Sequence, residues 1–141
     1  MDDILLNKAA TLETCVKRIR EEYIGHEDSL LLDYTRQDSI ILNLQRACET
    51  AIDMGTHMVR IKRLGLPQSS RDIFVLLEKG GLITTELSKR LQAMVGFRNI
   101  AIHNYQELNL HIVKSIVETR LNDFIDFKHI GLSLAATNIR K

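Results

Sequence analysis

Apolar residues recur at alternating spacings of four and three along most of the chain, the rhythm of helices with one face turned inward. Leu5, Ala9, Leu12, Val16, Ile19 and Tyr23 predict an amphipathic helix over about residues 2–24, closed by Gly25 and His26. Ile40, Leu44, Ala47, Ala51, Met54, Met58 and Ile61 predict a longer helix over roughly 28–63. A neighbouring stripe of Ile41, Cys48, Ile52 and Val59 widens its second half, which suits contact with more than one neighbour. The clearest break is Leu64-Gly65-Leu66-Pro67-Gln68-Ser69-Ser70. Ser69 or Ser70 can cap a short helix over about 70–79 that buries Ile73, Phe74 and Leu77, and Gly80-Gly81 ends it. Thr84 or Thr85 can cap a fourth helix reaching about His103, with Asn104 predicted as a left-handed terminator. A last helix from about Asn109 packs through Leu110, Val113, Val117, Leu121, Phe124 and Phe127, and residues 131–141 read as a loosely held tail.

No strand signal competes with this rhythm. The predicted fold class is all-α: one domain over residues 1–141, an antiparallel bundle of four long helices and one short one. The fourth helix is apolar nearly all round, since from Leu91 to Ile102 only Gln92, Arg98 and Asn99 are polar. In a bundle this small that pattern implies contacts on two sides, one of them the core. A homodimer with a two-fold axis is the simplest way to cover the other.

Charge changes this picture more than composition does. The formal net charge is only +1, but residues 1–59 carry a balance of −5, residues 60–98 a balance of +5 and residues 99–141 a balance of +1. The basic segment ends at Arg98, and such asymmetry can steer an anionic ligand to one region. No apolar run approaches a membrane span, and the acidic start Met1-Asp2-Asp3 with its short run Ile4-Leu5-Leu6 is unlike a secretory signal, so a cytoplasmic protein is expected. Cys15 and Cys48 fall on apolar faces of different helices and are expected simply to pack. His26, His57, His103, His111 and His129 are scattered, and neither a Cys-x-x-Cys pair nor a His-Glu-x-x-His motif occurs, so no metal site and no cofactor are predicted.

The stretch Arg98-Asn-Ile-Ala-Ile-His103-Asn-Tyr105 concentrates the candidate chemistry. Arg98 lies on the apolar stripe of Leu87, Leu91, Met94, Ala101 and Tyr105, where packing alone would place Leu or Ala. A dry, unpaired guanidinium is very costly, so Arg98 is expected to face a pocket, a partner chain or an anion. Arginine holds a phosphate through paired donors at any physiological pH. Histidine titrates near neutrality, so it can remove a proton and return it. RNA carries its own nucleophile, the 2′-hydroxyl, and a base beside a cation that stabilises the phosphorane suffices to cut it. Asn99 can orient either group. On an ideal helix Arg98 and Tyr105 share a face, whereas Arg98 and His103 diverge by about 140°. They converge if the helix ends near His103 or if a two-fold dimer presents them from both chains.

A structural reading stands beside the chemical one. Arg98 can pair with an acid such as Asp53 or Asp33, His103 can be a helix-end histidine favoured by the dipole, and Tyr105 can be a core residue with its hydroxyl at the surface.

Arg98-x4-His103-x-Tyr105 resembles the Arg-x4-His-x-Tyr signature of the HepT toxins, a branch of the HEPN-domain ribonucleases. The block Gly96-Phe97-Arg98-Asn99 resembles that family's Gly-Phe-Arg-Asn block. Leu66 through Phe74 with Leu77 through Ile83 resemble its short third helix and glycine turn, and Ala51-Ile52-Asp53-Met54 its second-helix block. The resemblance implies a homodimeric helical fold whose two motifs meet in a cleft. It implies metal-independent endoribonuclease activity resting on Arg98 and His103, in a toxin–antitoxin pair of the type VII kind. It also implies a partner, an MNT-type nucleotidyltransferase antitoxin that adenylylates the motif tyrosine, here Tyr105. The alternative is a non-catalytic helical subunit that docks a nucleotidyltransferase.

Overall fold

The computed structural model describes residues 2–138, with side chains to residue 137. Six α-helices follow one another: α1 (Asp3–Tyr23), α2 (Tyr34–Ile61), α3 (Ser70–Lys79), α4 (Thr85–His103), α5 (Leu110–Thr119) and α6 (Leu121–Asn138). Single 3₁₀ turns lie at Leu30–Leu32 and Tyr105–Glu107, and no strand occurs among the described residues.

The starts of these helices are set by polar side chains that cap them, Ser69 and Thr84 among them as the sequence predicts. Each supplies an oxygen to one of the unpaired N–H groups of a first turn. Asp2 accepts from the Leu5 N–H at 3.1 Å, Ser69 from Asp72 at 3.1 Å, Thr84 from Leu87 at 3.1 Å and Asn109 from His111 at 2.9 Å. α1 packs along α2 and against α6, while α4 lies against α2 and α3. Leu5, Leu12 and Ile19 of α1, Leu44 and Met58 of α2, and Phe124 and Phe127 of α6 are fully shielded. Burying one such side chain stabilises the fold by about 1.5–3 kcal/mol. Phe74 of α3 meets Phe127 edge to face with ring centroids 5.7 Å apart. Cys15 and Cys48 are both free and buried, as packing residues.

Three boundaries differ from the periodic reading. The second helix begins at Tyr34 rather than near residue 28. Leu30 is buried within a 3₁₀ turn, its carbonyl accepts from Gln37 Nε2 at 2.7 Å, and Asp33 caps α2 by accepting from the Arg36 N–H at 3.1 Å. The predicted last helix is two helices, broken at Arg120 with φ −122° and ψ −2°. The apolar stripe runs through the break because Val117 and Leu121 are both buried on either side of it. The predicted loose tail over 131–141 is corrected for residues 131–138, which continue α6 with Leu134 and Ala135 buried; residues 139–141 lie outside the described residues. Gly131 makes that docking possible, since a Cβ there would lie 2.8 Å from Met54 Sδ on α2.

Candidate functional site

α4 carries Arg98 and His103 on one uninterrupted helix that ends at His103. Asn104 caps it with its N–H donating to the Ile100 carbonyl at 2.8 Å. Its φ of −138° and ψ of 47° place it outside the left-handed region, which corrects the expected terminator. Tyr105 then opens a 3₁₀ turn, so the shared face expected of Arg98 and Tyr105 on a continuing helix does not arise. Helical geometry still holds between Arg98 and His103, and it turns the two side chains about 140° apart within one chain.

Arg98 is half-buried and is not paired with either acid considered for it. Asp53 binds Lys8 at 3.2 Å, and Asp33 binds Arg36 at 3.3 Å. Arg98 instead reaches across to α3, where Nη2 donates to Ser70 Oγ at 3.5 Å, a long and weak bond. Its Nε is buried with no hydrogen-bond partner among the described residues. An unsatisfied charged donor of this kind is rare in a packed structure. Nearby, burial pushes the Cys48 thiol up to about 12 even though the Arg98 charge acts in the opposite direction.

Arg71 adds a second cation. Its Nη2 lies 2.7 Å from where a Cβ at Gly96 would stand, so the glycine two residues before Arg98 is what lets this guanidinium lie against α4. Ser70 and Arg71 belong to the first turn of α3, whose free N–H groups and dipole also favour negative charge. Two cations of the basic segment thus lie where α3 meets α4, Arg71 against Gly96 and Arg98 against Ser70.

His103 and Asn99 are exposed. Tyr105 is 44 % exposed, and its hydroxyl donates a hydrogen bond to Asp38 near the start of α2. Burial, together with that bond and the Asp38 charge, pushes the phenol up to about 12. Tyr105 is therefore a surface residue held by a carboxylate, not a core residue. Beyond the motif, α4, α5 and the segment between them enclose a cleft of ≈ 660 Å³ lined by Phe97, Ile100, Leu108, Ile112 and Ile116. Ile100 and Ile112 of this cleft are 44 % and 56 % exposed, so an apolar side of α4 is uncovered in the single chain. At the cleft's inner end Asp123 is buried, bound to Arg90 at 3.5 Å, and burial raises its carboxyl above the usual range against the pull of that arginine.

Residues 12–129 match the family model described as ribonuclease HepT-like. The chain belongs to the HepT-like ribonuclease family. It is 54 % identical over 127 residues to the mRNA nuclease HepT of Shewanella oneidensis, covering 90 % of this chain and 95 % of that protein. A more distant relative, the tRNA nuclease HepT of Aphanizomenon flos-aquae, is 26 % identical over 81 residues, which is 57 % of this chain and 55 % of that protein. Among solved structures, the tri-AMPylated S. oneidensis HEPN toxin in complex with its MNT antitoxin superposes with a TM-score of 0.87 at 52 % identity, covering 92 % of this chain and 97 % of that one. A crystal structure of a toxin–antitoxin with AMP-PNP gives the same TM-score at 51 % identity, with the same coverage. The chain is thus a HepT-like nuclease with the HEPN toxin fold.

Within this HepT-like framework the structure joins the sequence-predicted residues unevenly. Arg98, Asn99 and His103 share α4 but not one face, and Tyr105 is tied to α2. Asp38, Ser70 and Arg71 were not among the predicted site residues. Arg71 had a faint signal in the basic segment and in the glycine of the Gly-Phe-Arg-Asn block. Asp38 had none, since it is 67 residues from the tyrosine that it binds.

Proposed function

We propose that this chain is the toxin of a HEPN/MNT toxin–antitoxin pair of the type VII kind. In this reading it is a metal-independent endoribonuclease acting in the cytoplasm, with no membrane association; no helix among the described residues is long and apolar enough to cross a membrane. Arg98 holds the scissile phosphate and stabilises the charge that builds on the phosphorane. His103 takes the proton of the 2′-hydroxyl and returns one to the leaving 5′-oxygen. Attack of the 2′-oxygen on its own phosphate leaves a cyclic phosphate and a 5′-hydroxyl. Asn99 supports the pair by orienting it.

The observation that carries this reading is the state of Arg98. It is half-buried, and among the described residues it pairs with no acid and its Nε has no partner, while its Nη2 reaches Ser70 in the first turn of α3. A packing arginine would have a carboxylate; this one is kept free for an anion from outside.

The opposed directions of Arg98 and His103 favour a site completed by a second copy of the chain. The uncovered Ile100 and Ile112, which line one cleft, supply an apolar surface for such a homodimer. A two-fold axis near the end of α4 brings the histidine of each protomer toward the arginine of the other.

Tyr105 is the regulatory position in this account. An MNT-type nucleotidyltransferase partner transfers adenylate from ATP to its hydroxyl, placing negative charge and bulk two residues beyond His103, where RNA phosphate would bind. The test is co-expression of the chain with its nucleotidyltransferase, followed by mass spectrometry of Tyr105 and an RNA-cleavage assay of each form. Cleavage by the unmodified protein and its loss on adenylylation are expected. A purified, unmodified dimer that does not cut RNA would contradict the nuclease reading and favour the non-catalytic subunit.

A further inference from the structure

The hydroxyl proposed to receive adenylate is already held by an acid of the same chain. Asp38 projects from the second turn of α2, and the Tyr105 hydroxyl donates to its carboxylate. His103 and Glu107 flank Tyr105 on its own segment, and Asp38 is the charged group that acts on the hydroxyl from α2. Asp38 is exposed and has solvent beside it. It is also spared from the nearby ion-pair network, in which Arg36 binds Glu22 at 3.0 Å and Asp33 at 3.3 Å.

A phenol is a poor nucleophile toward a phosphoric anhydride while it keeps its proton. Here the free phenolate is especially scarce, because burial and the neighbouring carboxylate push the tyrosine up to about 12. A route through the fully ionised tyrosine is therefore slow near neutral pH. A carboxylate already bonded to the proton offers the other route, in which the proton leaves as the oxygen attacks.

We infer that Asp38 is the general base, and hence a catalytic residue, for nucleotidyl transfer to Tyr105. This inference rests on the reading of Tyr105 as the adenylate acceptor. Tyr105 Oη forms a bond to the α-phosphorus of a ribonucleoside triphosphate, the bond from that phosphorus to the bridging oxygen breaks, and pyrophosphate leaves. The phenolic proton passes to the Asp38 carboxylate and then to solvent. The toxin thus brings part of the chemistry of its own neutralisation, and the transferase acts on an acceptor that is pre-oriented and pre-bonded to its base. A second consequence is mechanical. The product oxygen carries no proton, so its bond to Asp38 is gone and an anionic phosphodiester stands beside a carboxylate, which drives the modified side chain away from α2.

The test uses the full chain with its nucleotidyltransferase and ATP, measuring the initial rate of AMP incorporation at Tyr105 between about pH 6 and 9 for wild type, Asp38→Asn, Asp38→Glu and Tyr105→Phe. Asp38→Asn keeps the shape and a hydrogen-bonding oxygen but cannot take the proton, and at an exposed position it leaves the fold intact. Its rate is expected to fall by about 10²-fold or more and to climb about tenfold per pH unit, whereas the wild-type rate stays nearly flat. Asp38→Glu is expected to restore the flat profile at a reduced rate. Asp38→Asn modified at the wild-type rate with the wild-type profile overturns the role of Asp38 while leaving Tyr105 as the acceptor. Wild type that gains AMP elsewhere, or equal labelling of Tyr105→Phe, overturns the acceptor reading itself and the inference with it.

Discussion

Arg98 of α4 reaches the hydroxyl of Ser70 on α3 at 3.5 Å, and among the described residues this long bond is the one hydrogen bond of a guanidinium whose Nε is buried without a partner. The charge is positioned but not neutralised. Replacing it with alanine therefore removes little native stabilisation, and Arg98→Ala is expected to melt within about 1 kcal/mol of wild type. Its RNA cleavage is expected to fall by about 10²–10³-fold, the usual effect of losing one donor to transition-state charge. Thermal denaturation beside a single-turnover cleavage assay separates the two effects. A large drop in stability with proportionate activity loss would make Arg98 structural.

Gly96 admits the second cation, Arg71, whose Nη2 stands 2.7 Å from a would-be Cβ. The obstacle to a methyl group is the far end of a flexible side chain, so Gly96→Ala displaces Arg71 without breaking α4. RNA binding by Gly96→Ala and by Arg71→Ala is expected to weaken severalfold and to depend less steeply on salt than wild type, as lost phosphate contacts require. Binding titrations at two salt concentrations check this; an unchanged salt slope for Arg71→Ala would remove Arg71 from the site.

How much of this was legible in the sequence depends on the distance over which each feature is decided. Caps and stripes are local, so Ser69, Thr84 and Asn109 were readable as helix starts, and the inward faces of α1 to α4 followed from spacing. The start of α2 was not readable, because Leu30, Leu31 and Leu32 extend an apolar run whose 3₁₀ geometry is fixed by a hydrogen bond from Gln37. The break at Arg120 was hidden by a stripe that continues through it, and the docking of residues 131–137 depends on Gly131 meeting Met54 on a distant helix. At the site the motif itself was plain. The isolation of Arg98 from acids, and the grip of Asp38 on Tyr105, are tertiary facts with no local signature.

The exposed apolar side of α4 and α5 makes its own prediction. Ile100→Glu or Ile112→Glu places a charge on a surface that is half-open in the single chain, so each variant should fold. Light scattering after size exclusion is expected to give a dimer for wild type and a monomer for these variants, with RNA cleavage near background. A monomeric variant that cleaves at the wild-type rate would show that one chain holds a complete site.

The bond between Tyr105 and Asp38 has a titration signature. A phenol raised to about 12 in the folded protein binds its proton more tightly than in the unfolded chain, where the ordinary value is 10.0. Whatever this pair contributes to stability is present below pH 10 and is lost as pH rises from about 10 to about 12. The ultraviolet difference between wild type and Tyr105→Phe should report ionisation near the upper value, and Asp38→Asn should bring it down. A Tyr105 transition at the ordinary value would mean that Asp38 does not hold it in solution.

In the proposed mechanism Arg98 stabilises charge and His103 carries the proton, and attack by the 2′-hydroxyl then needs no metal ion. Cleavage by the purified protein is therefore expected to persist in excess EDTA. Loss on chelation and recovery with a divalent cation would point to a metal-bound nucleophile instead.

Whether His103 carries the proton in RNA cleavage is decided by the cleavage rate of His103→Ala on a defined RNA. His103 is exposed at the end of α4, so the variant should keep the wild-type melting temperature and oligomeric state. A folded protein whose cleavage falls by at least about 10²-fold is expected, as loss of a general base requires. A folded His103→Ala that cleaves at the wild-type rate would contradict that role.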